Sequence, residues 1–478
     1  MRNKIKYYFA CLIAGTALFA FSACSDITDQ NVNPNQPTAV PAENLVSQAQ
    51  YVLSNRLWSR VFNAEWPMLI VQHWAQNEYA EESRFLVDGN SFNGSWVSLY
   101  ANVLNELKAA TEIINANEGL AADLKANQLA VIEVLNVLTY HSLTDAFGDI
   151  PYSTALDPVD NLNPVYDSQS AIYADLVSRL KAAVSSMKPG VGSFGSADLI
   201  YGGDVASWSK FANSLLLRIA MRMSDVDGAA ASAAISGMTP EMFIASNDEN
   251  AMFNFDPAPA VANPLYIDAI INTRDDFCVT DILVDNLTTM GDPRLDAFAE
   301  VNASGDFIGM PSGLLDDDAF ALKPTCSRPH TSLRTADAPA VLMDHAEVSF
   351  LLAEAYERGY LTGDAATAYA AGVTSSMNYW GFTDVAAIDG YITANAYDAA
   401  NWKQSLGWQK WIAFYMNGTQ AWAEWRRLDH PVLTIPVAAV NDVIPVRLPY
   451  PIDEQTSNSN FTVTNPNDLS TKMWWDIN

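Results

Sequence analysis

The chain has 478 residues, 49% hydrophobic and 17% charged, with a mean hydropathy of +0.01. That supplies a large core and lies outside the composition of disordered chains. Acids outnumber bases 55 to 26, a net charge of −29, which excludes a nucleic-acid partner and adhesion to anionic lipid through a basic face.

Residues 1–23 read as a lipoprotein signal peptide. Arg2, Lys4 and Lys6 precede an apolar run from Tyr7 to Phe21 that is too short to span a bilayer, and Ser22-Ala23 lead into Cys24. A cysteine directly after such a stretch has the order of a bacterial lipobox, so Cys24 is the expected lipidation site and mature N-terminus. Acylation with several chains gives stable membrane attachment. Residues 24–42 are polar, contain Pro34 and Pro37 and show no period, which predicts an extended tether.

From Glu43 the apolar spacing turns helical and predicts helices over 43–62, 96–117, 125–144, 169–186, 206–224, 342–358, 364–379 and 404–425. In 206–224, Trp208, Phe211, Leu215, Ile219 and Met223 form one stripe. Gly359 offers a C-cap after 342–358, and Asp364 opens the next helix, where Ala366, Ala370 and Gly372 alternate with Tyr369 and Tyr379. Small and large residues interleaved across a short turn predict a mainly α, tetratricopeptide-like scaffold of stacked helical pairs. The domain runs over 43–478. Its helical scaffold occupies 43–235 and 341–430, with a loop-rich insertion at 236–340 broken by Pro240, Pro257, Pro259, Pro264, Pro293, Pro311 and Pro324. An irregular segment, 431–478, ends in Trp474-Trp475-Asp476, expected to dock on the body.

Motifs for chemistry are missing. Histidines at 73, 141, 330, 345 and 430 form no HExxH pattern, and there is neither a nucleophile elbow nor a Walker loop. Gly190-Val191-Gly192-Ser193-Phe194-Gly195 matches GxGxxG but lacks the preceding strand of a dinucleotide site, so it reads as a loop. Asp316, Asp317 and Asp318 read as a capping or solvated run, with no ligand spacing to decide for or against a metal. With Cys11 in the signal and Cys24 lipidated, Cys278 and Cys326 remain, and sequence leaves open whether they are a disulfide or two buried thiols. The expectation is a non-enzymatic protein without a cofactor.

The aromatic content, 13 Trp, 19 Tyr and 20 Phe, is the positive signal. Trp402, Trp408, Trp411, Trp422 and Trp425 fall on or beside predicted helices and are expected to pack. Rings in irregular segments beside Arg, Asn and Asp suit sugars, whose apolar faces stack while hydroxyls take hydrogen bonds. The predicted ligand contacts are Tyr79, Arg84, Phe85, Asn90, Tyr266, Arg274, Asp276 and Phe277.

Asn31-Val32-Asn33-Pro34-Asn35-Gln36-Pro37-Thr38 after Cys24 resembles the start of the SusD/RagB outer-membrane lipoproteins. Further matches are Thr144 to Tyr152, Tyr166 to Gln169, Trp208 to Arg222, Asp292 to Leu295, Glu347 to Ala355, Trp422 to Arg427 and Arg447 to Pro451. The resemblance implies a tetratricopeptide-like scaffold, lipid-anchored in the outer membrane and facing the cell exterior. It also implies a partner, a SusC-like TonB-dependent transporter over which the lipoprotein acts as a lid, and a nutrient ligand, an oligosaccharide or in some members a peptide. Family motifs report scaffold and assign no site residue here. Oligosaccharide delivery is the leading expectation. Peptide capture, a surface glycoside hydrolase and a purely structural adaptor are the alternatives.

Overall fold

The computed structural model describes residues 40–477 apart from 88, 158 and 160; the signal peptide, Cys24 and nearly all of the tether lie outside the described residues. The scaffold is built from α1 (Ala42–Leu57), α2 (Asn105–Ala116), α3 (Ala122–Phe147), α4 (Gln169–Ser186), α5 (Val205–Arg222), α6 (His345–Glu357), α7 (Ala365–Tyr379), α8 (Trp402–Ala413) and α9 (Gly418–Leu428). Side chains fix several starts: Ser168 accepts from Ala171 N, Asp204 from Ser207 N, Asp344 from Glu347 N and Asp364 from Thr367 N. Gly359 takes a φ of +70° after α6, as a C-terminal cap requires.

Helices consecutive in the chain pack on one another, α3 on α4, α4 on α5, α6 on α7 and α8 on α9. The α6–α7 pair shows why small residues alternate with large ones: a Cβ on Gly372 would stand 2.6 Å from the Phe350 ring. The fold is thus mainly α with tetratricopeptide-like helical pairs. Among the described residues, strands form only two-stranded antiparallel ribbons: β1 (Trp74–Gln76) with β5 (Phe277–Val279), β2 (Ile150–Pro151) with β3 (Tyr166–Asp167), and β4 (Ala251–Phe253) with β6 (Ala340–Met343).

Three expectations change. The predicted helix 404–425 is two helices, α8 and α9, because the turn between them is held from far along the chain. Asn63 donates to Met416 O at 2.9 Å and accepts from Gly418 N at 2.7 Å, with Met416 at a φ of +72°. The predicted helix 43–62 stops at Leu57 and resumes as a π-turn, Arg60–Ala64, capped by Ser59. The predicted helix 96–117 starts at Asn93 and passes through a π-turn, Tyr100–Leu104, before α2, while the loop-rich insertion carries the helices Asp281–Met290 and Asp316–Leu322. Gly190 to Gly195 is a loop, as read from the sequence.

A buried charge network ties the pairs together. Arg218 on α5 makes a two-pronged contact with Glu347 on α6 (2.5 and 2.6 Å) and donates to Leu342 O. On α9, Arg427 reaches Glu354 of α6 and Glu424 (2.6 Å), while Lys410 of α8 reaches the same two acids; none of the four is more than 5% exposed. Arg222 continues the chain from Glu424 to Asp145 at the end of α3. The tail completes it: Trp475, fully buried, donates to Asp145 at 3.1 Å, and Arg426 lies over its ring at 4.9 Å. Family-like motifs map to such joints. Gly148 ends α3 at a φ of +92°, Asp149 accepts from Gln169 N, and Tyr450 donates to Asp149 O at 2.8 Å.

Burial alone would raise the Glu354 carboxyl, but Arg427 and Lys410 outweigh it and hold the group well below the ordinary carboxylate range. A depressed folded-state pKa gives stability that is present above pH 4.5 and lost as pH falls toward about 2. Glu354→Gln strands buried cations and is expected to cost about 3–5 kcal/mol in urea unfolding at pH 7. The substitution should also flatten the acid limb of the stability curve.

Candidate functional site

Among the described residues only two aromatic side chains are exposed, Tyr79 (59%) and Phe320 (60%). Both stand on one loop assembly built around the β1–β5 ribbon. The ribbon pairs Trp74 with Val279, Ala75 with Cys278 and Gln76 with Phe277. It is fixed to the helical core by Trp74, which donates to Tyr415 OH at 2.8 Å. Beyond the ribbon, Asn77 N bonds Asp276 O at 2.8 Å, which brings the 77–85 and 268–276 loops side by side. Tyr79 then sits in the left-handed region at a φ of +53°, uncommon for a non-glycine residue, and its ring projects outward. Ala80 N donates to Asp316 at 2.6 Å, and Lys323 pairs with Glu78, so the Asp316–Leu322 helix is bound to this loop at both ends. On that helix Ala319 faces inward and Phe320 outward.

The charges below Tyr79 form a hub. Arg60, on the π-turn after α1, contacts Glu65 at 2.8 Å, Asp268 at 2.7 Å and Asp276 at 2.9 Å, with its guanidinium 4.8 Å from the Phe277 ring centre. Burial opposes its charge, yet Glu65 and Asp268 raise its pKa above the ordinary arginine value. Asp276 also accepts from Arg274 at 2.7 Å, and the Arg274 guanidinium lies 5.2 Å from the Tyr79 ring centre. Alongside, Asp275 pairs with Arg328 at 2.9 Å and Arg334 at 3.1 Å. The result is an exposed ring with a guanidinium over it, a second exposed ring on a tethered helix, and carboxylates held by arginines. That surface can stack an apolar face and exchange hydrogen bonds with hydroxyls.

Of the residues named from sequence, the structure brings Tyr79, Arg274 and Asp276 together. Phe277 is on the inward face of β5, 5.2 Å from the Trp74 ring, and is buried. Phe85 is fully buried at a φ of +62°, below a surface cleft it shares with Val440 and Asp468. These two rings show no face to solvent in this conformation. Arg84 donates to Ala438 O at 3.0 Å and pins the C-terminal segment. Asn90 is exposed in the turn before Asn93, and Tyr266 is half-buried at the end of a helical turn capped by Asn263. Two members of the assembly were missed. Phe320 was hidden behind the acidic run, whose first-turn acids mark a helix start; Arg60 was absorbed into the long predicted helix. A separate cavity between Trp58 and Trp380 is only about 120 Å³, below the roughly 300–1,000 Å³ of ordinary ligand pockets.

Replacing Arg60 by Met leaves Asp276 with Arg274 as its cation and takes from Asp268 the arginine it pairs with. A loss of about 1–3 kcal/mol is expected from the charged hydrogen bonds removed. Denaturant unfolding reads that loss, and limited proteolysis should show faster cleavage within 265–276.

A family model described as SusD-like, starch-binding associating with outer membrane, matches residues 34–451. No curated protein sequence matches the chain. Among solved structures, a chitin-binding protein aligns at 27% identity with a TM-score of 0.81, covering 91% of this chain and all of its own. A chitin-binding SusD homologue from Flavobacterium johnsoniae aligns at 22% identity and a TM-score of 0.77, over 91% of this chain and 99% of its own. A SusD homologue from Bacteroides thetaiotaomicron aligns at 23% identity and a TM-score of 0.76, over 92% and 99%. The last two likenesses speak to fold alone.

Proposed function

The chain belongs to the SusD-like family of starch-binding proteins that associate with the outer membrane, and from that premise we propose that it captures oligosaccharides on the Tyr79–Phe320 loop assembly and delivers them, unaltered, to a SusC-like TonB-dependent transporter. The observation that carries this reading is the pair of exposed rings. Every other described aromatic is at least partly buried, whereas these two are held in solvent by loops bonded to each other. Exposed apolar rings are unfavourable in isolation, and a flat sugar face is a ligand that covers them without requiring a deep pocket. Arg274 and its neighbouring carboxylate Asp276 supply polar partners at the rim.

The relative named as chitin-binding, at 27% identity, makes N-acetylglucosamine oligomers the first cargo to try and starch fragments the second. Lipid on Cys24 would hold the domain at the outer membrane through the polar tether, where it works as a hinged lid. Ligand closes such a lid only if it binds the closed state more tightly than the open one.

Titration of the protein with chito- and malto-oligosaccharides should give Kd values from mM to μM, about −4 to −8 kcal/mol. Tyr79→Ala and Phe320→Ala should each weaken binding about five- to tenfold, roughly 1–1.4 kcal/mol, with the melting temperature unchanged because both rings are exposed. Unaltered affinity in both variants would remove the loop assembly as the site. Saturable binding of peptides with no response to any glycan would replace the cargo class.

A further inference from the structure

Behind the exposed rings, on the face of β5 away from Phe277, lies a small buried cluster distinct from the main core. Ala75, Ala80, Cys278, Met310, Ala319 and Cys326 compose it. Three chain segments are laced together there: Val279 N bonds Ser327 O at 3.1 Å, Met310 N bonds Val279 O at 2.9 Å, and Ser327 N bonds Ile308 O at 2.7 Å. Cys278 and Cys326 each immediately precede the residues joined by the first of these bonds, and their side chains enter the same cluster. The Cys278 sulfur accepts from Asn77 Nδ2 and from the Arg328 guanidinium, both at 3.5 Å, and the Cys326 sulfur lies 3.9 Å from Gly309 O. Neither is bonded to another cysteine in this structure. The two thiols are electrostatically coupled: each is shifted chiefly by the other, Cys326 down to about 7 and Cys278, with burial adding, upward.

We propose that Cys278 and Cys326 are a disulfide-forming pair, oxidised by an exogenous disulfide (a thiol–disulfide oxidoreductase or oxidised glutathione), so that a covalent bond locks the Phe320 helix to the β1–β5 ribbon. The Cys326 thiolate attacks one sulfur of the exogenous disulfide, forming a mixed disulfide and expelling the first thiolate. Cys278 then gives up its proton to water and attacks the Cys326 sulfur, closing the internal bond and expelling the second thiolate. Two protein thiols are oxidised, and one exogenous disulfide is reduced to two thiols. Arg328 stands where it stabilises the Cys278 thiolate during the second step. The bond would close the chain from 278 to 326 into a loop that includes the Asp316–Leu322 helix, restricting the unfolded ensemble and adding a covalent tie to the Glu78–Lys323 pair and the Ala80–Asp316 bond. Only the supply of oxidant rests on the outer-membrane location proposed above; the pairing itself rests on the cluster.

The test uses the full chain purified from membranes without reductant, unfolded in excess maleimide, digested and mapped by mass spectrometry. A second portion is reduced, freed of reductant and exposed to oxidised glutathione before the same mapping. The tryptic peptides carrying Cys278 and Cys326 are expected to be linked in both portions. Linked protein should melt at a higher temperature than reduced protein, and Cys326→Ser should melt at one temperature with or without reductant. Maleimide on both sulfurs after glutathione treatment, or a lasting glutathione adduct on Cys326, overturns the pairing. A link made by glutathione but missing from the membrane-derived protein supports the pairing and overturns the oxidising surface location. Loss of glycan binding with the link intact counts against the cargo reading alone.

Discussion

The structure depends on charges placed where water cannot reach them. Arg427, Lys410, Glu354 and Glu424 lie at the meeting of α6, α8 and α9, and Arg222 carries the same network across to Asp145 at the end of α3. Ions so buried are a heavy desolvation cost unless each finds its partner. The helical pairs can therefore settle only in the arrangement that brings every partner into place. Apolar stripes alone allow helices to slide or rotate; a two-pronged arginine–carboxylate contact such as Arg218 with Glu347 does not.

That requirement explains which parts of the molecule could be read from the chain. Helix α4 follows its predicted range, because its stripe and its Ser168 cap are local properties. The division between α8 and α9 escaped notice since its cause, Asn63, is far away in sequence. The ribbons were equally hidden: β1 and β5 are three residues each, and neither is a strand without the other. The fate of the loop aromatics followed from that. Alternation on β5 turns Phe277 inward onto Trp74, and a left-handed residue turns Phe85 into the core. Tyr79, Arg274 and Asp276 lie near one another because the ribbon brings together two loops almost two hundred positions apart, a proximity no local pattern encodes.

Under the proposed function, the molecule separates holding from contacting. Main-chain bonds from Asn77 and Ala80, the arginine hub at Arg60 and the Lys323–Glu78 pair hold the loops. The rings of Tyr79 and Phe320 add little to that framework, since most of their surface lies in water. Family-like segments such as Thr144 to Tyr152 belong wholly to the holding part, at the joint where α3, α4 and the C-terminal segment meet.

Positions that touch solvent and support nothing are cheap to alter. With Tyr79 and Phe320 as the proposed contacts, a lineage meeting a new food source can exchange either residue without first acquiring compensating changes in the interior, so a shift in diet is open to single substitutions. On that reading the same economy sets a boundary on inheritance: two proteins with superimposable skeletons owe each other no common menu.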